Sequence, residues 1–108
     1  MAVELVRVSV YINEADEWHH RPLHLEILRM LQEQGLAGGT VLRAVAGYTR
    51  SGGIQSTSLV DVGGKLPLVV EFIDTDAAIE QVMPLLKQMA GARLIVRAKV
   101  TVERDPAS

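Results

Sequence analysis

Residues 48–65, YTRSGGIQSTSLVDVGGK, decide how the rest of the chain is read. They separate two apolar runs, TVLRAVAG at 40–47 and LPLVVEFI at 66–73, each with the length and composition of a β-strand. Neighbouring strands need only a turn of about 2–5 residues, and connections beyond about 12–15 residues are usually functional or disordered. Glycines at 52, 53, 63 and 64, with Ser, Thr and Gln between them, make this backbone permissive and its surface polar. Only Ile54, Leu59, Val60 and Val62 offer apolar area to offset the entropy lost on ordering. The segment reads as a mobile arm that orders on meeting a ligand or partner. The alternative is a tolerated surface insertion or a longer hairpin.

On the N-terminal side, VELVRVSVYI at 3–12 alternates: Val6, Val8, Val10 and Ile12 share one face, and Leu5, Arg7, Ser9 and Tyr11 the other. Residues 13–21, NEADEWHHR, read as a polar connection ended by Pro22, which suits the first turn of a helix. Leu23, Ile27 and Leu31 recur at spacing four in a helix predicted to end near Glu33, with Gly35 as its left-handed cap. On the C-terminal side, Asp74 or Thr75 caps a second helix in which Ile79, Val82, Leu86 and Met89 form one face. Pro84 inside it predicts a kink, and Gly91 its end. Leu94, Val96, Ala98, Val100 and Val102 then alternate with Ile95, Arg97, Lys99 and Thr101 in a last strand.

The order β-α-β-β-α-β predicts an α+β, ferredoxin-like fold: a four-stranded antiparallel sheet with two helices on one face. The chain of 108 residues is expected to be a single domain, 1–108, with a frayed tail at 103–108. Hydrophobic residues make up 48%, but the aromatics are only Tyr11, Trp18, Tyr48 and Phe72, so the core must be aliphatic. A formal charge of −2 offers no field that would attract nucleic acid. There is no cysteine, which excludes disulfides and thiolate chemistry. No run approaches about 18 apolar residues and no basic-then-apolar leader is present, so a soluble, cytoplasmic protein is expected.

The sheet face away from the helices is expected to carry Leu5, Arg7, Ser9 and Tyr11, then Val69, Glu71 and Ile73, then Ile95, Arg97, Lys99 and Thr101. That is a large apolar patch rimmed by both signs of charge, and packing against other copies of the chain would cover it.

Chemistry-bearing constellations are few. His19, His20 and His24 cluster at the start of the first helix, but Pro22 interrupts the ligand spacing, and no metal site is assigned. Glu71 beside Arg7 reads as an ion pair rather than a catalytic acid. No nucleophile–base pair or phosphate-binding glycine motif is present, so no enzyme is expected. Arg43 ahead of Gly47, and Gly91 ahead of Arg93, combine close backbone approach with a guanidinium, as an anionic group requires.

Residues 22–48, PLHLEILRMLQEQGLAGGTVLRAVAGY, and residues 66–86, LPLVVEFIDTDAAIEQVMPLL, resemble the short proteins grouped as domain of unknown function 190, which are similar in fold to the PII signalling proteins. The resemblance implies a homotrimer packed through its sheet faces. It also implies that residues 48–65 are the counterpart of the partner-contacting T-loop. An adenine nucleotide would then sit in each inter-subunit cleft, against Arg43, Gly47, Tyr48, Gly91 and Arg93, and the loop would address a target such as a transporter or enzyme. Ala44, Thr49 and Gln55 depart from the family's usual glycines and histidine, and Arg104 is the nearest counterpart of a late arginine pair in PII proteins. Two other readings stay open: a metal-linked trimer like the divalent-cation-tolerance protein CutA, built on the histidines, and a trimeric scaffold with no effector.

Overall fold

The computed structural model describes residues 2–50, 52–57 and 65–104. The expectations of mobility across 52–64 and fraying at 103–108 fall largely on residues 58–64 and 105–108, which lie outside the described residues.

Strand β1 (Val3–Asn13) lies inside a four-stranded antiparallel sheet. The other members are β4 (Thr40–Arg43), β7 (Pro67–Asp74) and β8 (Leu94–Val102), in the order β4-β7-β1-β8. The helices α1 (Leu23–Glu33) and α2 (Asp76–Ala90) cover one face, giving the ferredoxin-like α+β fold that the element order predicts. Val8, Val10, Val70, Ile27, Ile79, Val82 and Leu86 are each 0% exposed in this layer. Burying such a side chain contributes about 1.5–3 kcal/mol, so an almost purely aliphatic core suffices.

The helix ends follow the local sequence. Gly35 takes φ +84° just past α1, and the Leu36 N–H donates to the Leu31 carbonyl at 3.1 Å. Thr75 caps α2, its Oγ1 accepting from the Ala78 N–H at 3.2 Å. The helix continues through Pro84, which lacks the N–H that would reach the Glu80 carbonyl.

The structure departs from the sequence reading in four places. The polar connection contains a two-stranded ribbon, β2 (Glu17–Trp18) against β3 (Arg21–Pro22). Its turn residues His19 and His20 both have positive φ, 51° and 67°, the hairpin geometry that glycine and asparagine ordinarily supply. Second, the run 40–47 is not one strand. The Ala44 N–H donates to the Pro67 carbonyl at 2.9 Å, and Pro67 has no N–H with which to continue the ladder. The chain leaves the sheet there and forms β5 (Ala46–Gly47), which pairs with β6 (Gln55–Ser56), so the long loop starts as a short antiparallel stem.

Third, the faces of the last strand are reversed. Val6, Val8 and Val10 face the helices, and their partners across the ladder are Lys99, Arg97 and Ile95. Directly opposite residues share a face, so Ile95, Arg97, Lys99 and Thr101 lie on the helix side. Leu94, Val96, Ala98, Val100 and Val102 lie on the open side. The reason is in α2: Ile95 packs on the core, but Arg97 meets the charged flank of the helix, bonding Glu80 at 2.7 Å and Asp76 at 2.8 Å. Fourth, Arg7 and Glu71 share the open face on diagonal positions, Arg7 opposite Ile73 and Ser9 opposite Glu71, and no ion pair joins them among the described residues.

The open face is therefore more apolar than the alternation alone predicts. Val3, Tyr11, Leu42, Ile73, Leu94 and Val96 on it are all exposed, from 37% for Val3 to 61% for Leu94.

Candidate functional site

At one end of the sheet β1 finishes, β4 finishes, β7 starts and β8 starts: Asn13 stands opposite Pro67, Arg43 opposite Leu68, and Tyr11 opposite Leu94. The expected site residues gather at this end. Arg43 closes edge strand β4, and Arg93 leads into the other edge strand, β8. Three strand spacings separate those edges, roughly 14 Å. Within one chain the two arginines thus stand on opposite edges at the same end of the sheet.

What links them is the turn Asn13–Asp16, whose carboxylates the sequence reading passed over as a polar connection. Asn13 folds it: its Oδ1 accepts from the Ala15 N–H at 2.8 Å, and its carbonyl accepts from the Asp16 N–H at 3.0 Å. Asp16 then accepts from Arg93 twice, Nε at 2.9 Å and Nη2 at 2.8 Å, and from the Asn13 N–H at 2.8 Å. Arg93 also donates to the Ala90 carbonyl at 3.0 Å, which fixes the α2–β8 turn. Glu14 accepts from Arg43 twice, Nε at 3.1 Å and Nη2 at 3.2 Å, and from the Leu66 N–H at 2.8 Å. The signal available in the sequence was the NEAD string itself, a turn former followed by two acids at i+1 and i+3.

The electrostatics match this geometry. The Leu66 N–H and the Arg43 guanidinium hold the Glu14 carboxyl below its ordinary value. Burial pushes Asp16 upward, but the bonds from Arg93 and the Asn13 N–H outweigh it and leave its carboxyl lowered. Asp16 in turn raises Arg93. Both carboxylates stay ionised at neutral pH, which suits them to hold cations and not to shuttle protons.

The remaining expected residues occupy the loop stem. Gly47 runs close to β7: an added Cβ would lie 3.2 Å from Pro67 Cγ, a tight contact. Tyr48 is 72% exposed, as are Val45 at 75% and Ile54 at 67%, so the stem presents apolar area to solvent. Gly91 takes φ +60° at the end of α2, and the Arg93 guanidinium passes 3.8 Å from where its Cβ would be.

The histidines do not converge. His19 stacks on Trp18, ring centroids 4.3 Å apart, His20 follows it in the turn, and His24 lies on α1 with a buried Nδ1 that has no hydrogen-bond partner among the described residues. Among the described residues no group of His, Asp and Glu side chains could hold a metal ion. An open concavity of about 380 Å³ lies elsewhere, against α1 and the linker after it, lined by Leu25, Leu28, Leu36 and Gly39 with Arg29 at its margin. No described helix is long and apolar enough to cross a membrane.

The family model DUF190, Uncharacterized ACR, matches residues 5–102. The chain belongs to the DUF190 family. A UPF0166 protein of Aquifex aeolicus is 32% identical to this DUF190 chain over 80 residues, covering 74% of the chain and 76% of the relative. Among solved structures, CPII from Thiomonas intermedia K12, bound to ADP and bicarbonate, superposes with a TM-score of 0.61 at 15% identity. That match covers 96% of this chain and 93% of CPII. CutA from Synechococcus elongatus PCC7942 superposes with a TM-score of 0.54 at 10% identity, over 94% of this chain and 85% of CutA. The DUF190 chain therefore has the PII-like form of the ferredoxin-like fold.

Proposed function

We propose that this DUF190 protein is a PII-like regulatory subunit. It assembles as a homotrimer, takes a small anionic effector between subunits, and addresses a transporter or enzyme through the 48–65 loop. The effector class that fits is an adenine nucleotide, held by Arg43, Gly47, Tyr48, Gly91 and Arg93. One observation carries this reading: Arg43 and Arg93 stand at the same end of the sheet but on opposite edges. Sheets packed face to face around a three-fold axis would set one chain's Arg43 edge beside the next chain's Arg93 turn. The open face supports such packing, since its exposed Leu94, Val96, Tyr11 and Ile73 make a patch of the kind that oligomers cover. The fold shared with CPII, a protein solved with ADP, supports the choice of nucleotide.

The role is regulatory and not catalytic. Glu14 and Asp16, the carboxylates at this end of the sheet, are each engaged by an arginine and held ionised. The test is a melting panel of nucleotides, bicarbonate and divalent metals. A ligand at about 100 times its Kd should stabilise the native protein by about 2.7 kcal/mol per site. Charge-assisted bonds contribute about 1.5–3 kcal/mol each, so Arg93→Ala should weaken nucleotide binding roughly ten- to a hundred-fold. If no nucleotide raises the wild-type melting temperature at millimolar concentration, the effector-free scaffold takes the place of this reading. A response to metals alone would favour the CutA-like one.

A further inference from the structure

Arg43 is the last residue of β4 before the long loop, and Leu66 is buried where the chain returns to the sheet. One carboxylate holds both. Glu14 Oε1 accepts from the Leu66 N–H at 2.8 Å and from Arg43 Nη2 at 3.2 Å, while Oε2 accepts from Arg43 Nε at 3.1 Å. The turn that presents Glu14 is itself tied to the loop's far limb: the Glu14 N–H donates to the Leu66 carbonyl at 3.0 Å, and Asn13 Nδ2 donates to the Lys65 carbonyl at 3.3 Å. A guanidinium fork engaged bidentately by a carboxylate is filled in the same way that a phosphate would fill it.

We infer that Glu14 is a positioning residue that occupies Arg43 in the effector's absence, and that its exchange for the effector's anionic group transmits occupancy to the loop exit at Leu66. This rests on the nucleotide reading above and names its regulation. Once the fork turns to a phosphate, Glu14 loses its cationic partner and faces a new negative charge, which weakens its hold on the Leu66 N–H. By linkage, the loop state and the effector bias one another equally: a partner that draws the loop exit away from Glu14 frees Arg43 and tightens effector binding. Asp16 stands in the same relation to Arg93, but its other acceptor bond comes from its own turn, so it carries no signal to the loop.

The test has two arms, both on the full chain. In the first, hydrogen exchange at the Leu66 amide is followed without ligand in wild type and Arg43→Met. The expected result is exchange several-fold faster in Arg43→Met, with the amides of β1 and β7 unchanged. Equal rates at Leu66 overturn the coupling whether or not any nucleotide binds. In the second, ADP is titrated calorimetrically into wild type and Glu14→Gln. Gln keeps an acceptor for the Leu66 N–H and removes the charge, so ADP should bind the variant several-fold more tightly. A purely structural role would weaken binding or leave it unchanged, and either result overturns the exchange. ADP binding to neither protein overturns the nucleotide reading and the exchange step with it, while the first arm still decides whether Arg43 and Leu66 are coupled through Glu14.

Discussion

Val10 on β1 stands directly opposite Ile95 on β8, and both side chains lie on the helix-covered face of the sheet. That single register assignment puts Leu94, Val96, Ala98, Val100 and Val102 on the other side, beside Tyr11, Ser9, Arg7, Leu5 and Val3. A mostly aliphatic band on the open face, continuous with Val69 and Ile73 of β7, is the surface through which the subunits should pack.

Val96→Asp should therefore dissociate or unfold the assembly, because an unpaired charge buried at an interface costs about 3–5 kcal/mol. Lys99→Gln, on the helix side of the same strand, should leave the assembly intact. Light scattering at micromolar concentration distinguishes them. A wild-type particle with the mass of one chain would contradict the packing.

Most of the fold was legible because its signals are local. Val6, Val8, Val10 and Ile12 alternate cleanly, Leu23, Ile27 and Leu31 keep helical spacing, and Gly35 and Thr75 mark helix ends by chemistry that works within one turn. The last strand misled because its apolar set faces outward. Alternation gives two faces but not which one is inside, and on an edge strand only the partner's register and the charges on α2 decide it. Of the candidate site, the position of the arginines and glycines at one end of the sheet follows from their junctions. Glu14 and Asp16 were not legible, since their partners lie 29 and 77 residues away in sequence and nothing near them in the chain announces the pairing.

The cap on α2 gives a second prediction. Thr75→Ala removes the acceptor for the Ala78 N–H and should cost about 1 kcal/mol, with no change in assembly. The measurement is the urea midpoint at fixed protein concentration.

Acid should loosen the sheet end in a defined window. Glu14 and Asp16 both have lowered values in the folded chain, against ordinary ones of 4.5 and 3.8. The stability they contribute is then fully present above those ordinary values and is lost as pH falls through the lowered ones. Melting temperature should drop below about pH 4 in wild type and drop less in Glu14→Gln/Asp16→Asn. Parallel acid curves for the two proteins would show that the pairs contribute nothing to folding.

In the proposed trimer, subunits and nucleotide form one assembly, with the effector between chains. Native mass spectrometry of the wild-type protein with ADP at micromolar concentration tests it most directly. A trimer carrying up to three ADP, one for each cleft, is expected, and in Arg93→Ala the same loading should need roughly ten- to a hundred-fold more ADP. A single chain, or a trimer that takes no ADP at any concentration tested, would contradict it.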